Sequence, residues 1–303
     1  MRVLITGADG QVARAVAQEL RDAGHDVTVY SRAALDITRA ADVWATVVRE
    51  RPDAVVNGSA YNGVDAAETD RDTVFAVNAA GPAALAEAAD RFGAAFVHYS
   101  SDFVFDGEAT TPYREDDEPN PVNVYGLSKL AGERAAARAR RHYVLRLESV
   151  FGRKPGGRST IDRLAEGLIR GQLVNACLDR IVTPSYTADV ARATRRLLEE
   201  EAPAGLYHCV TSGCCTWYEL AEEIARLLGV VPNLMAVRSD DIPLPARRPR
   251  YCALSNAKLA GVGIRMPAWQ DALAQHLSDW VPSARPRPAV VFTPPSADKS
   301  AVA

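Results

Sequence analysis

The chain reads as an α/β protein, a Rossmann-type doubly wound parallel sheet with a smaller C-terminal α/β substrate domain. Three observations predict this. The first 150 residues alternate short apolar, β-rich runs with helical stretches rich in Ala, Leu and Glu, the pattern of a parallel sheet covered on both faces. The turn Gly7-Ala8-Asp9-Gly10 directly follows the first such run and opens the first helix. After Phe151 the alternation loosens into loops, short helices and a Pro/Arg-rich segment, as expected of a less regular second unit.

The strands are expected at Val3–Thr6, Val27–Tyr30, Ala54–Asn57, Ala95–Ser100 and Tyr143–Leu147, runs apolar enough to be buried on both faces. Helices fall between them at Gln11–Ala23, Asp42–Arg51, Thr73–Phe92 and Tyr125–Arg140. Beyond a Gly/Lys/Pro loop at Gly152–Arg158, helices are expected near Thr160–Arg170, Ala188–Glu200 and Thr216–Leu228, with a strand at Gly205–Val210. The Pro/Arg-rich stretch Ile242–Pro249 leads to a last helix from Ala268 to Trp280. The division is therefore 1–150 for a dinucleotide-binding domain, with segments around 180–202 returning to it, and 151–281 for a mainly substrate-binding domain. The Pro-, Ser- and Ala-rich residues 282–303 read as a disordered tail.

Composition narrows the function classes. Of the 303 residues 48% are hydrophobic and 24% charged, an ordinary enzyme profile. A net charge of −3 offers no electrostatic case for nucleic acid or an anionic membrane surface. No apolar run approaches the ~20 residues of a membrane span. The opening Met-Arg-Val-Leu-Ile-Thr-Gly reads as strand and turn rather than a leader, so the expected location is cytoplasmic. Cys177, Cys209, Cys214, Cys215 and Cys252 lack the paired spacing of zinc sites; free thiols and no metal are expected.

Gly7, Asp9, Gly10, Gln11 and Val12 form the candidate dinucleotide turn, where small residues let the backbone approach a pyrophosphate held by amides at the helix N-terminus. The third small position is Ala13. A tight turn without a ligand is the plainer reading. The second strand ends in Ser31-Arg32; an acidic residue there would hold the ribose hydroxyls of NAD, whereas Arg accommodates the 2′-phosphate of NADP. The expected cofactor is NADPH, with NADH possible. Asp36 and Ile37 could lie beside the adenine, or simply in a solvated loop.

The chemistry falls to three residues. Ser100 and Ser101 fall at the end of the fourth expected strand, at the carboxyl edge where open sheets bind ligands, and a hydroxyl there can hydrogen-bond a carbonyl. Tyr125 and Lys129 lie four apart on one helix face, so phenol and ammonium can reach one site. A nearby cation lowers a phenol from its usual pKa of about 10, making the pair a proton donor or acceptor near neutrality. Alone, each is commonplace: a strand-capping serine, a solvated helix face. His98 and His208, beside expected strands, read as structural, and Trp217 and Trp269 as core or interface aromatics. Arg247, Arg248 and Arg250 could meet a diphosphate or form a solvated basic loop.

Taken together these residues resemble the extended short-chain dehydrogenase/reductases, and more closely the dTDP-4-dehydrorhamnose reductase family. The resemblance is carried by Gly-Ala-Asp-Gly-Gln-Val at 7–12, Arg-Pro-Asp-Ala-Val-Val-Asn at 51–57, Ala60-Tyr61, and Val64 through Glu68. It continues through His98 to Gly107 and, most specifically, Pro121 through Gly126 with Ser128 through Glu133. The second half adds Gly205 to His208, Thr216-Trp217, Arg248-Pro249 and Met266 to Trp269, so the likeness spans roughly 1–280.

The resemblance implies that Tyr125 is the general acid at the sugar C4 oxygen, that Lys129 binds the nicotinamide ribose and lowers the Tyr125 pKa, and that Ser101 hydrogen-bonds the carbonyl. Ser59, Ala60, Tyr61 and Tyr99 would line the cofactor, with Asn78 supporting the backbone there. Asp102, Phe103, Ser149 and Arg248 would face the substrate. Three positions depart from the family: Phe103 stands where it typically has Tyr, Ser149 where it has Trp, and Arg180 where it often has Gln. The redox residues are intact and the sugar pocket is altered. The implied function is NAD(P)H-dependent reduction of the 4-keto group of a nucleotide-linked, dTDP-type keto-deoxysugar, in a possible homodimer. The alternatives are a sugar-nucleotide epimerase or dehydratase, disfavoured by Arg32, and a non-catalytic regulatory subunit like the partner protein of methionine adenosyltransferase.

Overall fold

The computed structural model describes residues 1–152 and 159–278. Strand β1 (Arg2–Thr6) is followed by α1 (Gln11–Asp22), β2 (Asp26–Tyr30), α2 (Ala40–Glu50) and β3 (Ala54–Asn57). Then come α3 (Arg71–Phe75) and α4 (Gly81–Arg91), joined through a wide π turn at Ala76–Ala80, and β4 (Ala95–Ser101), α5 (Val124–Ala136) and β5 (His142–Leu147).

The second half holds β6 (Val150–Phe151), α6 (Thr160–Ile169), β7 (Val174–Cys177), β8 (Ile181–Val182), β9 (Ser185–Tyr186), α7 (Thr187–Glu199) and β10 (Gly205–His208). It ends with β11 (Cys215–Thr216), α8 (Trp217–Leu228), β12 (Leu234–Val237), α9 (Ala257–Gly261) and α10 (Trp269–Ser278).

The six-stranded sheet runs β10-β5-β4-β3-β1-β2, and every pair in it is parallel. Successive side chains leave opposite faces. Val3, Ile5, Val56, Val97 and Leu145 pack with α1 and α7 on one side, whereas Leu4, Val55, Phe96 and Val144 pack with α2 and α4 on the other. The order in which strands are added across the sheet reverses between β1 and β3, and at such a switch point the carboxyl ends open a crevice. Gly7 and Gly58 meet there. A Cβ on Gly7, whose φ is +75°, would fall 2.5 Å from the Gly58 carbonyl carbon, so the close approach requires glycine.

The expected helix Thr73–Phe92 is three segments, because the chain widens at Asn78. Strand β4 extends through Ser101, paired with Leu147, one residue past the expected Ala95–Ser100. The expected 205–210 strand is the sheet's sixth member, beside β5, and α7 packs on α1; 187–208 therefore serve the main sheet. Strands β6–β9, β11 and β12 and helix α9 were not legible in the sequence, since two- to five-residue elements carry almost no periodic signal.

A second core gathers α6, α8 and α10 around Ile161, Leu168, Leu220, Ile224 and Leu273. Reciprocal caps start two of these helices: Ser159 with Asp162, and Thr216 with Glu219. The loop Gly152–Arg158 beyond its first residue, Trp280, and the tail from 282 lie outside the described residues. Among the described residues no helix is long and apolar enough to cross a membrane. All five cysteines are unpaired.

Candidate active site

A cleft of about 600 Å³ lies over the carboxyl edge of the sheet, between it and the second core. It is lined by Gly10, Gln11, Val12, Ser59, Ala60 and Tyr99 from the candidate cofactor set, and by Ser101, Tyr125 and Lys129. Asp102, Phe103, Ser149 and Arg248 line it too.

Helix α5 delivers Tyr125 and Lys129. Asn123 caps it, its Oδ1 accepting from Gly126 N at 2.7 Å, and Val124 N donates to Glu68 Oε1 at 2.9 Å. The helix can approach its neighbours only through glycines: a Cβ on Gly126 would lie 2.1 Å from the Phe103 carbonyl oxygen, and one on Gly132 2.2 Å from that of Asn78. Asn78, in the π turn, donates to Ser128 Oγ at 3.0 Å and to the Tyr61 carbonyl at 3.1 Å while accepting from Tyr61 N at 2.9 Å. Wide turns of this kind recur at functional sites. Here the turn ties the loop after β3 to the helix carrying Tyr125, so Asn78 positions backbone and does not itself line the cleft.

Phe103 packs edge-on against Tyr125, ring centroids 5.6 Å apart, and the Arg248 guanidinium sits 5.8 Å from the Phe103 centroid, held by Asp65 at 2.9 Å. The Tyr125 phenol is buried, and burial followed by the charge of Asp102 pushes its pKa up, against a smaller lowering from the Ser101 hydroxyl. The expectation that Lys129 lowers it is not met. The ammonium donates instead to the Tyr99 carbonyl at 2.5 Å, and burial brings its own pKa down to about 8, against a raising by Glu133. Tyr125 is therefore a neutral phenol at pH 7, the state a proton donor needs. Ser101 Oγ accepts from Phe103 N at 3.2 Å and donates to Asp102 Oδ1 at 2.7 Å. Burial lifts the Asp102 carboxyl to about 6.

The dinucleotide turn fits its ligand class. Gln11 Oε1 and Ser100 Oγ are buried without a hydrogen-bond partner beside the cleft, groups that a bound polar molecule would satisfy. Asp9 is 81% exposed and reaches Arg14 at 3.7 Å, so only its backbone is suited to a pyrophosphate. Ser31, Arg32 and Asp36 lie beyond the cleft walls; Arg32 is 79% exposed and 3.9 Å from Asp36, its guanidinium available to an anion. Ile37 corrects the sequence reading: its side chain is core, with Cδ1 2.6 Å from where a Cβ on Gly81 would stand. Tyr61 lies off the cleft walls, while Asn57, Asn62, Glu148, Arg180, Trp217 and Cys252 line it. Glu148 went unread although an acidic residue directly after an apolar strand marks the carboxyl edge.

The remaining candidates are structural. His98 stands against Asn57 Nδ2 at 3.1 Å, and burial drives its pKa down; His208 is lowered to about 3, first by burial and then by Arg146. Trp269 is buried in the second core. Arg247 pairs with Glu108 and Arg250 with Asp240, both away from the cleft.

Residues 1–281 match the family model described as RmlD substrate binding domain. The chain is 36% identical to a dTDP-4-dehydrorhamnose reductase of Streptomyces griseus, over 90% of this chain and 92% of that one. It is 35% identical to a probable dTDP-4,6-dihydroxy-2-methyloxan-3-one 4-ketoreductase of Streptomyces antibioticus, over 94% and 98%. Among solved structures it resembles the dTDP-4-dehydrorhamnose reductase of Bacillus anthracis in complex with NADP, at 30% identity and a TM-score of 0.87, covering 92% of this chain and 99% of that one.

Proposed function

The chain belongs to the RmlD substrate binding domain family, and from that premise we propose that it is an NADPH-dependent ketoreductase of the dTDP-4-dehydrorhamnose reductase type, reducing the 4-keto group of a nucleotide-linked deoxysugar. The observation that carries this reading is the convergence of Ser101, Tyr125 and Lys129 on one cleft that is also lined by Gly10, Gln11 and Val12 of the dinucleotide turn. The names of the relatives support it, and an NADP complex of a similar chain supports the cofactor. The epimerase, dehydratase and regulatory-subunit readings draw no comparable support.

The turn at Gly7–Val12 and the loop Ser59–Ala60 would hold the dinucleotide, with Arg32 toward a 2′-phosphate and Lys129 toward the ribose. Bound there, the reduced nicotinamide supplies the hydride. The protein's part is the proton. Tyr125 gives its phenolic hydrogen to the carbonyl oxygen as the carbon is reduced, becoming phenolate until it is reprotonated from solvent. Ser101 turns its hydrogen from Asp102 to the same oxygen and steadies the developing negative charge. NADPH oxidation in a screen of dTDP-linked 4-keto-6-deoxyhexoses, run in parallel with NADH, tests the reading. No turnover of any such sugar with either cofactor overturns it.

Lys129 gives the pH dependence a definite sign. The ammonium is charged below its folded pKa of about 8 and neutral above it. NADPH affinity should thus be strongest below about pH 8 and weaken as pH rises through that value. Titration of NADPH fluorescence against pH reads this directly, and Lys129→Met should flatten the limb. A limb unchanged in that variant would assign it to another group.

A further inference from the structure

Glu148 is a second carboxyl group in the cleft, and the chemistry described so far does not use it. It follows β5 directly and is 3% exposed. Its backbone N donates to Ser185 Oγ at 3.0 Å, its Oε1 accepts from Ser149 Oγ at 2.7 Å, and its Oε2 accepts from Thr183 N. The turn that aims it is strained: Ser149 has φ +42°, a conformation rare for a residue with a side chain, and such strain concentrates where structure is held for function. Asp102, 5% exposed, shares the cleft.

Among the described residues neither carboxyl forms an ion pair. Each is pushed upward by burial, Glu148 further by the charge of Asp102, and Arg180 acts on both only at a distance. The Arg180 Nε is itself buried without an acceptor. Two desolvated carboxyls and an orphaned guanidinium donor therefore border space that a large side chain does not fill, because position 149 carries only a serine hydroxymethyl.

Resting on the ketoreductase reading, we infer that Glu148, with Asp102, is the specificity-determining site for a hydrogen-bond-donating substituent of the hexose, a hydroxyl or a protonated amine, and that Arg180 takes an oxygen of the same sugar. Docking a sugar removes the remaining water from these groups. A sugar presenting a donor adds a hydrogen bond beyond those from Ser149, Thr183 and Ser101; a deoxy sugar presenting C–H leaves the remaining acceptor capacity of the carboxyls unmet. Sites built to hydrogen-bond a substituent reject the analogue lacking it far more strongly than apolar pockets discriminate size.

The test uses the full chain with sets of dTDP-linked 4-keto-6-deoxyhexoses that differ at one ring carbon, bearing hydroxyl, amino or hydrogen. Both kcat/KM and calorimetric affinity are measured, with NADPH binding and thermal melting reporting folding. The wild type should prefer a donor over hydrogen by about 100-fold at one position, and Glu148→Ala should shrink that preference to about fivefold or less. Glu148→Gln, which keeps shape and an acceptor oxygen, separates the two donors. It retains the preference if the substituent is a hydroxyl and loses it if the substituent is an ammonium. Equal handling of deoxy and donor-bearing sugars by the wild type, or an undiminished preference in Glu148→Ala, overturns the assignment. Selective binding without turnover would sink the ketoreductase reading and leave this site standing. Turnover without selectivity would do the reverse, and no binding of any sugar defeats both.

Discussion

Replacing Tyr125 with Phe should lower kcat by about 10²–10⁴-fold, the usual contribution of a positioned general acid, while leaving NADPH affinity within about twofold. The substitution is a clean one. The phenyl ring keeps its edge contact with Phe103, and the helix keeps the Asn123 cap and the glycine approaches that seat it. Only the hydroxyl is lost. That hydroxyl is neutral and buried, whereas the hydrogen of Ser101 is already donated to Asp102. Steady-state kinetics with the sugar found in the screen, beside a fluorescence titration of NADPH, measure both halves. Full activity in the variant would remove Tyr125 from the acid role. Equal loss of cofactor binding would make it a structural residue instead.

The reason Tyr125 could be singled out before the structure is that its helix announces itself. Asn123, Tyr125, Gly126, Ser128, Lys129 and Gly132 each have a local job that only their residue type can do: capping, close approach, or reaching the site four residues apart. The strands of the main sheet were equally legible, because burial on both faces requires continuous apolar runs. Segments whose form depends on partners distant in sequence were not. The π turn at Asn78 exists because the residue must bond both Tyr61 and Ser128, and nothing in its neighbours' propensities signals a widened helix. Strand β10 resembles any isolated β-rich run until β5 is there to pair with it.

Electrostatics was the least legible layer. The four-residue spacing correctly placed Lys129 in the cleft with Tyr125, but not its bond to the Tyr99 carbonyl, and so not the direction of the Tyr125 shift. Burial decided that sign, and burial is a property of the whole fold. The same holds for Glu148. Its identity is visible in the chain, but its isolation from counter-charge depends on β8, β9 and the loop carrying Arg180.

Glu133→Ala should destabilise the fold by about 3–5 kcal/mol, the usual result of stripping one partner from a buried ion pair. Arg146 is 1% exposed on β5, which lies between β10 and β4. Its guanidinium is forked onto Glu133, Nε to Oε1 and Nη2 to Oε2, both at 2.8 Å, and lies 4.7 Å from the Phe105 ring centroid. Without Glu133 that charge faces Phe105 and a neutral, strongly depressed His208. A melting temperature lower by roughly 10 °C is expected. Because the pair's desolvation nearly cancels its attraction, the double variant Glu133→Leu with Arg146→Met should recover most of that loss. The single variant also reaches the site. Glu133 is the charge that raises the Lys129 pKa against burial, so its removal lets the ammonium titrate below about 8. The fall in NADPH affinity with rising pH should then begin at lower pH in Glu133→Ala, and also in the refolded double variant, where stability is no longer the issue. A double variant that melts normally yet keeps the wild-type pH profile would show that Glu133 holds the sheet together without tuning Lys129.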